Sequence, residues 1–335
     1  MNSPINIAIN GFGRIGRSLF RLLVDHPTIN VVALNDIANA ETLTHLLKYD
    51  SIHGRLKKEI TGQNAKITIE GKSTHVLNYA HPKDIPWQDF HVDYVIECSG
   101  KFNTTEDLEH HLKEGVKKII LSVPPEDASI KMIVLGVNDH LLDGSEKIIS
   151  NASCTTNNAA PMLKVIHDQL RVSQAYITTV HSYTSDQSLH DKPHRDLRRS
   201  RAAAQSIIPT TTGAAKALTR IFPDLSEVIG GCGIRVPVPN GSLTDMTLNV
   251  ENKTSIEEVN RLFKEAALGT LKGILSYTED PIVSVDILDQ EYSCVFDAQM
   301  TSVIGGKLVK LIGWYDNEIG YSSRLIDLIS IVNKN

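Results

Sequence analysis

The residue of this chain best placed for covalent chemistry is Cys154, in the segment Ser150-Asn151-Ala152-Ser153-Cys154-Thr155. An apolar run precedes the segment and apolar residues at helical spacing follow it. We therefore expect a strand, a tight turn and a helix whose first turn carries Cys154. A helix start offers free backbone N–H groups and partial positive charge, which favour a thiolate and lower a cysteine pKa. A reactive thiol is one interpretation, and a small buried core cysteine is the other.

A histidine follows Cys154 in a context that allows the two side chains to meet. The strand candidate Tyr176–Val180 would deliver His181 at its end. An imidazole beside a thiol can take its proton and so activate the sulfur as a nucleophile. A lone histidine is more often an ordinary core or surface residue, so this pairing depends on the rest of the second half.

A glycine-rich loop near the N-terminus has the spacing of a dinucleotide-binding turn. Gly11, Gly13 and Gly16 form a G-x-G-x-x-G pattern between a strand candidate and a helix candidate. Asp36 follows the next strand, about 20 residues beyond the loop. Such a loop lets the backbone approach a pyrophosphate at the helix start, and the acid accepts hydrogen bonds from a ribose 2′-OH. Because Asp36 would repel a 2′-phosphate, the pattern predicts NAD rather than NADP.

Cations and hydroxyl groups cluster in the second half of the chain. The stretch from His190 to Arg201 carries five Lys and Arg side chains against two acids. Guanidinium groups match phosphate oxygens, and Thr210-Thr211-Thr212-Gly213 adds hydroxyls and backbone amides that also suit an anion. Arg235 is a further cation in apolar surroundings, which predicts an anionic partner. A solvated surface is the alternative interpretation of the basic stretch.

The elements of the first half alternate between short apolar strands and helices. The strand candidates are Val31–Leu34, Tyr94–Glu97, Lys118–Leu121 and Ile133–Leu135, and a helix candidate covers Thr105–Glu114. This pattern predicts an α/β fold, with a Rossmann-like, doubly wound parallel sheet covered by helices. Glu109-His110-His111 could suggest a metal ligand set, but we interpret it as a solvated helix face and predict no metal site.

The second half changes character after Cys154. Leu243–Val250 and Ile282–Ile287 alternate with period two, and Ser255 has capping-box spacing before a helix. We expect an α+β catalytic domain with a mixed or antiparallel sheet. The predicted domains are 1–150 for nucleotide binding and 151–316 for catalysis, with a C-terminal helix over 317–335 that returns to the first domain.

Composition narrows the class of protein. The chain has 335 residues, of which 41% are apolar and 22% charged, and two domains are expected at this length. A net charge of -5 argues against nucleic acid as the main partner, and we see neither a signal peptide nor a membrane span. The four cysteines are scattered without a C-x-x-C pair, so we expect a reducing, cytoplasmic location.

Five segments together carry a resemblance to a known family. They are Asn10–Arg17, Ser150–Asn157, His181–Thr184, Pro209–Lys216 and Trp314–Glu318. In this order they resemble the phosphorylating glyceraldehyde-3-phosphate dehydrogenase family, and the resemblance covers nearly the whole chain. The cysteine segment is the most specific, since a glycine motif alone occurs in many nucleotide-binding proteins.

The resemblance implies oxidation and phosphorylation of D-glyceraldehyde 3-phosphate to 1,3-bisphosphoglycerate with NAD+ and inorganic phosphate. Cys154 would form a hemithioacetal and then a thioester, while His181 raises the thiolate population and takes the hydroxyl proton. Thr184 and Arg235 match the site for the substrate phosphate. The family is homotetrameric, and His190–Arg201 matches a loop that packs between subunits.

The resemblance also assigns the remaining binding residues. The attacking phosphate would bind at Arg199, Thr212 and Gly213, with Ser153 and Thr155 beside the cysteine. The cofactor positions are Gly11, Gly13, Arg14, Ile15, Gly16, Asp36, Ser122 and Asn317, of which Asn317 would orient the nicotinamide amide.

Three residues depart from the family pattern. Asn158 replaces a usual second cysteine, with little expected loss, and Ile319 replaces a tryptophan beside the nicotinamide site. Lys192 replaces a usual leucine and could tolerate a 2′-phosphate, but Asp36 argues for NAD. The alternative activity is that of an erythrose-4-phosphate dehydrogenase, which releases its thioester to water. An alternative of another class is a binding module, in which a Rossmann domain binds NAD, RNA or a partner protein without chemistry.

Overall fold

The computed structural model describes residues 4–334, which form two compact units. The first unit comprises residues up to Ile133, His140–Ala152 and the residues from Ser322 onward. The second comprises Val134–Asp139 and Ser153–Tyr321. Within the described residues, no helix is both long and apolar enough to cross a membrane.

The first unit is built on a mostly parallel sheet. The strands of this unit are β1 (Ile5–Asn10), β2 (Ile29–Asn35), β3 (Tyr49–Asp50), β4 (Gly54–Arg55), β5 (Ile60–Gln63), β6 (Lys66–Ile69), β7 (Lys72–Leu77), β8 (Tyr94–Glu97), β9 (Lys118–Leu121), β10 (Lys131–Met132) and β11 (Ile148–Ser150). The strand order of the sheet is β10-β11-β9-β8-β1-β2-β7-β6-β5, and only its pairs β5–β6 and β6–β7 are antiparallel. The central strands are buried on both faces, as expected for apolar runs covered by helices. The predicted doubly wound sheet is confirmed.

Three helices accompany these strands: α1 (Arg14–Leu23), α2 (Ala40–Lys48) and α3 (Thr105–Glu109). The last is shorter than the predicted Thr105–Glu114, because the chain continues in tight turns after Glu109. The interpretation of His111 as part of a solvated helix face is wrong. Its side chain is fully buried and hydrogen-bonded to Glu97.

The predicted strand at Ile133–Leu135 is wrong beyond its first residue. Strand β10 ends at Met132, and Ile133 adds one more bond by donating its N–H to the Ser150 carbonyl. A turn follows, in which Val134 donates its N–H to the side chain of Asn138 and accepts hydrogen bonds from two later backbone N–H groups. Gly136 adopts φ +76°, which ends any extended run. From Val134 onward, these local bonds replace the hydrogen bonds that a strand would make to its neighbour.

The second unit contains a mixed sheet, as predicted. Its strands are β12 (Val172–Ser182), β13 (Ile208–Thr210), β14 (Ile229–Val236), β15 (Ser242–Val250), β16 (Leu275–Thr278), β17 (Cys294–Asp297), β18 (Ser302–Ile304) and β19 (Leu308–Tyr315). Their order in the sheet is β13-β14-β12-β15-β19-β17-β16, with β18 paired to β19. The pairs β12–β14 and β16–β17 are parallel and the others are antiparallel.

The helices that follow Cys154 are α4 (Cys154–Leu170), α5 (Gly213–Ile221), α6 (Ile256–Leu268) and α7 (Ile319–Val332). Ser255 caps α6 by accepting the N–H of Glu258, as its spacing predicts. From Ser322 onward α7 belongs to the first unit, where Tyr94 donates its hydroxyl hydrogen to Asn333 just beyond the helix.

The alternating segment Ile282–Ile287 is not a strand. Its end forms a 3-10 turn at Ser284–Ile287, where the Asp286 carboxylate accepts the N–H of Val283. Val283 and Val285 are exposed, so the period-two pattern does not correspond to two sides of a sheet. A short capping interaction outweighs the strand preference of isolated β-branched residues here.

Candidate active site

Cys154 is the first residue of α4, as the sequence predicts. The turn before it places Ala152 at φ +54°, and Ser153 caps the helix by accepting the N–H of Thr156 at 3.1 Å. Hydrogen bonds from the N–H groups of Cys154 and Thr155 and from the Thr155 hydroxyl reach the sulfur. The helix start therefore surrounds Sγ with donors, which suits negative charge on sulfur or on an oxygen bonded beside it.

His181 lies near the end of β12 and faces this cysteine. Its Nε2 is 3.4 Å from Sγ of Cys154, within hydrogen-bonding distance for sulfur. The imidazole is buried, with 5% of its surface exposed. The helix and the strand thus bring together the two residues that the sequence analysis paired, in the geometry of a nucleophile with its base.

The electrostatics of the pair differ from the sequence-based expectation. Burial raises the pKa of the Cys154 thiol, although Arg235 and the donors at the helix start act in the opposite direction. The expectation that the helix start lowers this pKa is therefore wrong in its net direction. Burial, together with Arg235, lowers the pKa of His181 to about 3. Each charged form is costly alone, so we infer that thiolate and imidazolium arise together by proton transfer.

The other ring nitrogen of His181 has two neighbours. Its Nδ1 is 2.7 Å from the Ser182 carbonyl oxygen and 2.7 Å from Nη1 of Arg235. Protonated Nδ1 can donate to the carbonyl, and this tautomer leaves Nε2 free to accept the thiol proton. Bare Nδ1 can accept from Arg235, and then Nε2–H can donate to a thiolate. The surroundings thus provide a partner for either tautomer.

Tyr315 is a residue of the site to which the sequence analysis gave no role. It is buried in β19, and its hydroxyl is 2.9 Å from the hydroxyls of both Thr155 and Thr179. Its ring packs edge-on against His181, with centroids 6.0 Å apart. Tyr315 therefore ties the first turn of α4 to β12, and the alternating pattern of β19 was the only signal for its inward direction.

Asn317 is held in a fixed orientation after β19. Its Oδ1 accepts hydrogen bonds from the hydroxyls of Ser182 and Ser242, at 2.9 and 2.8 Å. Asp316 stabilises the turn by accepting the N–H groups of Glu318 and Ile319. Both bonds to Asn317 use its oxygen, which leaves its amide nitrogen to donate to a ligand.

Two cations, Arg199 and Arg235, are among the residues predicted to bind anions. The guanidinium of Arg199 pairs with Asp186 and donates to the Thr211 carbonyl at 3.3 Å. Thr212 caps α5 by accepting the N–H of Ala214, while Gly213 has open space around its Cα. Burial and the charge of Arg199 lower the pKa of Arg235. An anion between the two guanidinium groups would relieve this repulsion.

Thr184 follows the end of β12 by two residues, and its carbonyl accepts the N–H of Gln187 in a turn. Its side chain is half-buried. Arg235 pairs with His181 in the register of β12 and β14. Thr184 therefore begins the loop that follows β12, shortly after His181, the residue that pairs with Arg235.

In the first unit, the glycine loop has the packing that a dinucleotide requires. A Cβ at Gly11 would lie 2.5 Å from backbone atoms of Ser99, and a Cβ at Gly16 would lie 2.3 Å from the Gly11 carbonyl oxygen. A Cβ at Gly13 would meet no described atom within 4 Å. The first and third glycines therefore allow close packing, and the second exposes the backbone at the start of α1.

The side chains around this loop are fixed by protein contacts. The Asp36 carboxylate accepts the N–H groups of Phe12 at 2.7 Å and Ala38 at 3.0 Å, one on each oxygen. Each oxygen keeps a lone pair for a ribose hydroxyl. Arg14 forms a bidentate pair with Asp50, which lowers the pKa of that carboxyl group. Arg14 and Ile15 are the first two residues of α1, so their backbone N–H groups lie at the helix start.

Ser122 follows β9 and donates its N–H to the Glu97 carbonyl at 3.0 Å. Its hydroxyl is hydrogen-bonded to Cys98, whose pKa burial raises to about 12. The two residues lie at the carboxyl ends of neighbouring parallel strands, β8 and β9. This is the edge at which open α/β sheets bind ligands.

The residues that depart from the family pattern have distinct surroundings. Asn158 is fully buried in α4, and its Nδ2 donates to the carbonyl groups of Ser293, Gly313 and Trp314. It therefore fastens α4 to the sheet. Ile319 is buried at the start of α7, whereas Lys192 is exposed.

Comparisons with known proteins find similar sequences over nearly the whole chain. Residues 5–105 match the model of the glyceraldehyde 3-phosphate dehydrogenase NAD binding domain, and residues 153–317 match that of the C-terminal domain. Glyceraldehyde-3-phosphate dehydrogenase 2 of Streptomyces avermitilis is 51% identical over 98% of both chains. The enzyme of Geobacillus stearothermophilus is 48% identical over 98% of both chains. That of Thermotoga maritima is 48% identical over 98% of this chain and 99% of its own.

Proposed function

Because the chain belongs to the glyceraldehyde-3-phosphate dehydrogenase family, we propose that it converts D-glyceraldehyde 3-phosphate, NAD+ and inorganic phosphate to 1,3-bisphosphoglycerate and NADH. The observation that carries the proposal is the placement of Sγ of Cys154 among helix-start donors and 3.4 Å from Nε2 of His181. A thiol with an adjacent base is the arrangement that covalent aldehyde oxidation requires.

The first step is the addition of Cys154 to the aldehyde carbon. Nε2 of His181 takes the thiol proton, and the sulfur forms a C–S bond. The aldehyde oxygen becomes negatively charged and accepts hydrogen bonds from the N–H of Cys154 and from the neighbouring donors. Protonation of that oxygen gives a hemithioacetal and returns His181 to its neutral form.

Oxidation then converts the hemithioacetal to a thioester. His181 removes the hydroxyl proton through Nε2 while the carbon loses a hydride. NAD+, when bound, supplies the nicotinamide ring that accepts this hydride. An oxygen of inorganic phosphate attacks the thioester carbonyl, the C–S bond breaks, and the acyl phosphate leaves as Cys154 regains its thiolate.

The first unit supports binding of the cofactor through its loop and its strand ends. Gly11, Gly13 and Gly16 let the N–H groups of Arg14 and Ile15 approach the pyrophosphate. Asp36 would accept the ribose hydroxyls, and Ser122 lies at the same edge of the sheet. The fixed amide of Asn317 would orient the nicotinamide carboxamide by donating to its oxygen.

Two anion-binding positions follow from the cations of the second unit. Thr184 and Arg235 would bind the phosphate of the substrate. Arg199, Thr212, Gly213, Ser153 and Thr155 would bind the attacking phosphate. Their support is the repulsion between Arg199 and Arg235, which helps to lower the pKa of Arg235, together with the open backbone at Gly213.

The domain and assembly predictions remain part of this proposal. We assign nucleotide binding to 1–150, with the C-terminal helix, and catalysis to 151–316. The stretch around His190–Arg201 has exposed apolar side chains at Leu189, Leu197 and Ile207, which supports its burial between subunits of a homotetramer. The four free cysteines support a reducing, cytoplasmic location.

The experiment is an assay of NADH formation from glyceraldehyde 3-phosphate, with and without phosphate or arsenate. We expect sustained turnover only when one of these anions is present. Cys154→Ala should be inactive, while Cys232→Ala, in β14, should retain activity. Turnover that ignores phosphate, or faster phosphate-independent turnover of erythrose 4-phosphate, would contradict the proposal.

A further inference from the structure

The carboxylate of Glu97 is fully buried at the end of β8 and is surrounded by donors. Its Oε1 accepts the N–H and the hydroxyl of Ser99, at 2.7 and 2.5 Å. Its Oε2 accepts Nδ2 of Asn10 at 2.5 Å and Nε2 of His111 at 3.0 Å. All four contacts use the carboxylate as an acceptor, which is the pattern of its ionised form. These donors replace the hydration that burial removes.

Trp87 determines where His111 carries its proton. The indole Nε1–H donates to Nδ1 of His111 at 2.9 Å, and both side chains are fully buried. Because an indole nitrogen can only donate, Nδ1 must be an acceptor and Nε2 must carry the hydrogen. The tautomer that results is the one that donates to Glu97. Trp87, His111 and Glu97 therefore form a hydrogen-bonded chain with a single direction.

The hydrogen-bonded network continues from Glu97 toward the glycine loop. Asn10, which immediately precedes Gly11, accepts Nδ2 of Asn35 at 2.8 Å through its Oδ1. Asn35 immediately precedes Asp36, and its amide group bonds both the N–H and the carbonyl of Tyr79. The carboxyl ends of β1, β2 and β8 are thus joined by side chains as well as by the backbone ladder.

Ser99 provides a second connection to the loop. The two hydrogen bonds from Ser99 to Glu97 fix the position of its backbone. The same backbone lies where a Cβ at Gly11 would be 2.5 Å away. Glu97 therefore holds both sides of a close contact, Ser99 directly and Gly11 through its neighbour Asn10.

We propose that Glu97, His111 and Trp87 are positioning residues that fix the dinucleotide-binding loop before NAD+ binds. The inference rests on the proposed function, in which NAD+ is the ligand of this loop. These residues do not enter the reaction. They reduce the conformational freedom that the loop would otherwise lose on binding the cofactor.

The hydrogen bonds of this network all point toward Glu97, so the network requires an acceptor, the carboxylate, at that position. In Glu97→Gln, an amide nitrogen replaces one of the two acceptors and faces either the backbone N–H of Ser99 or the donors of Asn10 and His111. Asn10 could rotate its amide only by losing Asn35, and His111 could change tautomer only by placing Nδ1–H against Trp87. The mismatch therefore reaches the loop although the volume of the side chain is unchanged.

The experiment measures the Kd of NAD+ by calorimetry, which does not depend on aldehyde turnover. We expect Glu97→Gln to raise this Kd about tenfold or more, the effect of one unpaired buried donor. Glu97→Asp, which keeps the negative charge, should raise the Kd by a smaller factor. Glu146→Gln is the matched control, since Glu146 is a nearly buried carboxylate of the same unit that bonds Lys131, and its Kd should stay within about twofold of the wild type.

A spectroscopic readout accompanies the binding data. The chain has two tryptophans, so a Trp314→Phe background isolates the emission of Trp87. Glu97→Gln should shift that emission and raise the KM for NAD+ by a larger factor than it lowers kcat, whereas Glu146→Gln should do neither. Because aldehyde turnover enters only the KM and kcat measurements, a failure of the proposed function would leave the Kd test intact.

A Kd within twofold of the wild type in folded Glu97→Gln would overturn the proposal, as would an equal increase in Glu146→Gln. If Glu97→Gln does not fold, Trp87→Phe takes its place. This variant keeps an aromatic ring and frees the tautomer of His111, so we expect a Kd about threefold higher. An unchanged Kd in Trp87→Phe would then overturn the proposal.

Discussion

Replacement of Tyr315 by phenylalanine tests how the active site is held together. The Tyr315 hydroxyl bonds Thr155, next to the nucleophile, and Thr179, two residues before His181 on the same strand. Phenylalanine keeps the edge-on ring contact with His181 and removes only these two hydrogen bonds. The substitution therefore separates the positioning effect of the hydroxyl from the packing of the ring.

The magnitude follows from burial. Thr155 and Thr179 are 5% and 3% exposed, so water cannot easily replace the lost partner. A buried hydroxyl without a partner costs about 1–3 kcal/mol, so two would cost about 2–6 kcal/mol. Because Thr155 keeps its hydrogen bond to the Cys154 sulfur, we expect a loss of about 2–4 kcal/mol in the free energy of unfolding. Small displacements of reacting groups reduce rates steeply, so we expect kcat/KM to fall by about tenfold to a hundredfold.

The assay combines urea unfolding of the reduced protein with steady-state kinetics. Tyr277→Phe is the control, since its hydroxyl donates to Glu279 at the surface and its loss should change stability by about 0.5 kcal/mol or less. Wild-type stability and kcat/KM in Tyr315→Phe would refute the reasoning. Lower stability with unchanged kcat/KM would refute the positioning role alone.

Three further predictions concern charge and hydrogen bonding. Burial lowers the pKa of His181 to about 3, whereas an unfolded histidine titrates near 6.5, so the unfolded chain binds one more proton between these values and stability falls as the pH drops. This residue changes the free energy of unfolding by up to about 1.4 kcal/mol per pH unit. The urea midpoints at pH 7 and pH 5 should therefore differ less in His181→Asn than in the wild type. Equal differences in the two proteins would mean that the native ring is protonated. Asp36→Asn should reduce the ratio of kcat/KM for NAD to that for NADP by about tenfold, because the repulsion of a 2′-phosphate is lost; an unchanged ratio would contradict this reading of Asp36. Asn158→Cys should lower the free energy of unfolding, measured in urea, by about 1–3 kcal/mol, since three carbonyl groups lose a donor and two of these hydrogen bonds are buried; wild-type stability would contradict that role.

Much of the architecture could be predicted from local patterns. The apolar runs of β8 and β9 and the alternation of β15 correspond to buried and half-buried strands. Predictions failed where a few side chains decide the backbone. Asn138 turns the chain after Ile133, and Asp286 does so near Ile287. Neither bond is visible in the periodicity of the apolar residues.

The site was predicted less completely because its chemistry depends on tertiary burial. The helix start at Cys154 is a local feature, but the desolvation that raises its pKa comes from the surrounding structure. His111 has the sequence context of a surface residue, yet Glu97 and Trp87 bind it in the core. The sequence analysis likewise expected little effect from Asn158 in place of a cysteine, because it could not show the carbonyl groups that a distant strand presents to its side chain.

The most direct test of the account is to detect the acyl group on Cys154. The enzyme is mixed with glyceraldehyde 3-phosphate and NAD+ without phosphate, quenched in acid, digested and analysed by mass spectrometry. The account predicts a burst of about one NADH per active site, with a thioester on the peptide that contains Cys154, discharged when phosphate is added. A burst without that adduct, an adduct on another residue, or an adduct that phosphate does not discharge would contradict it.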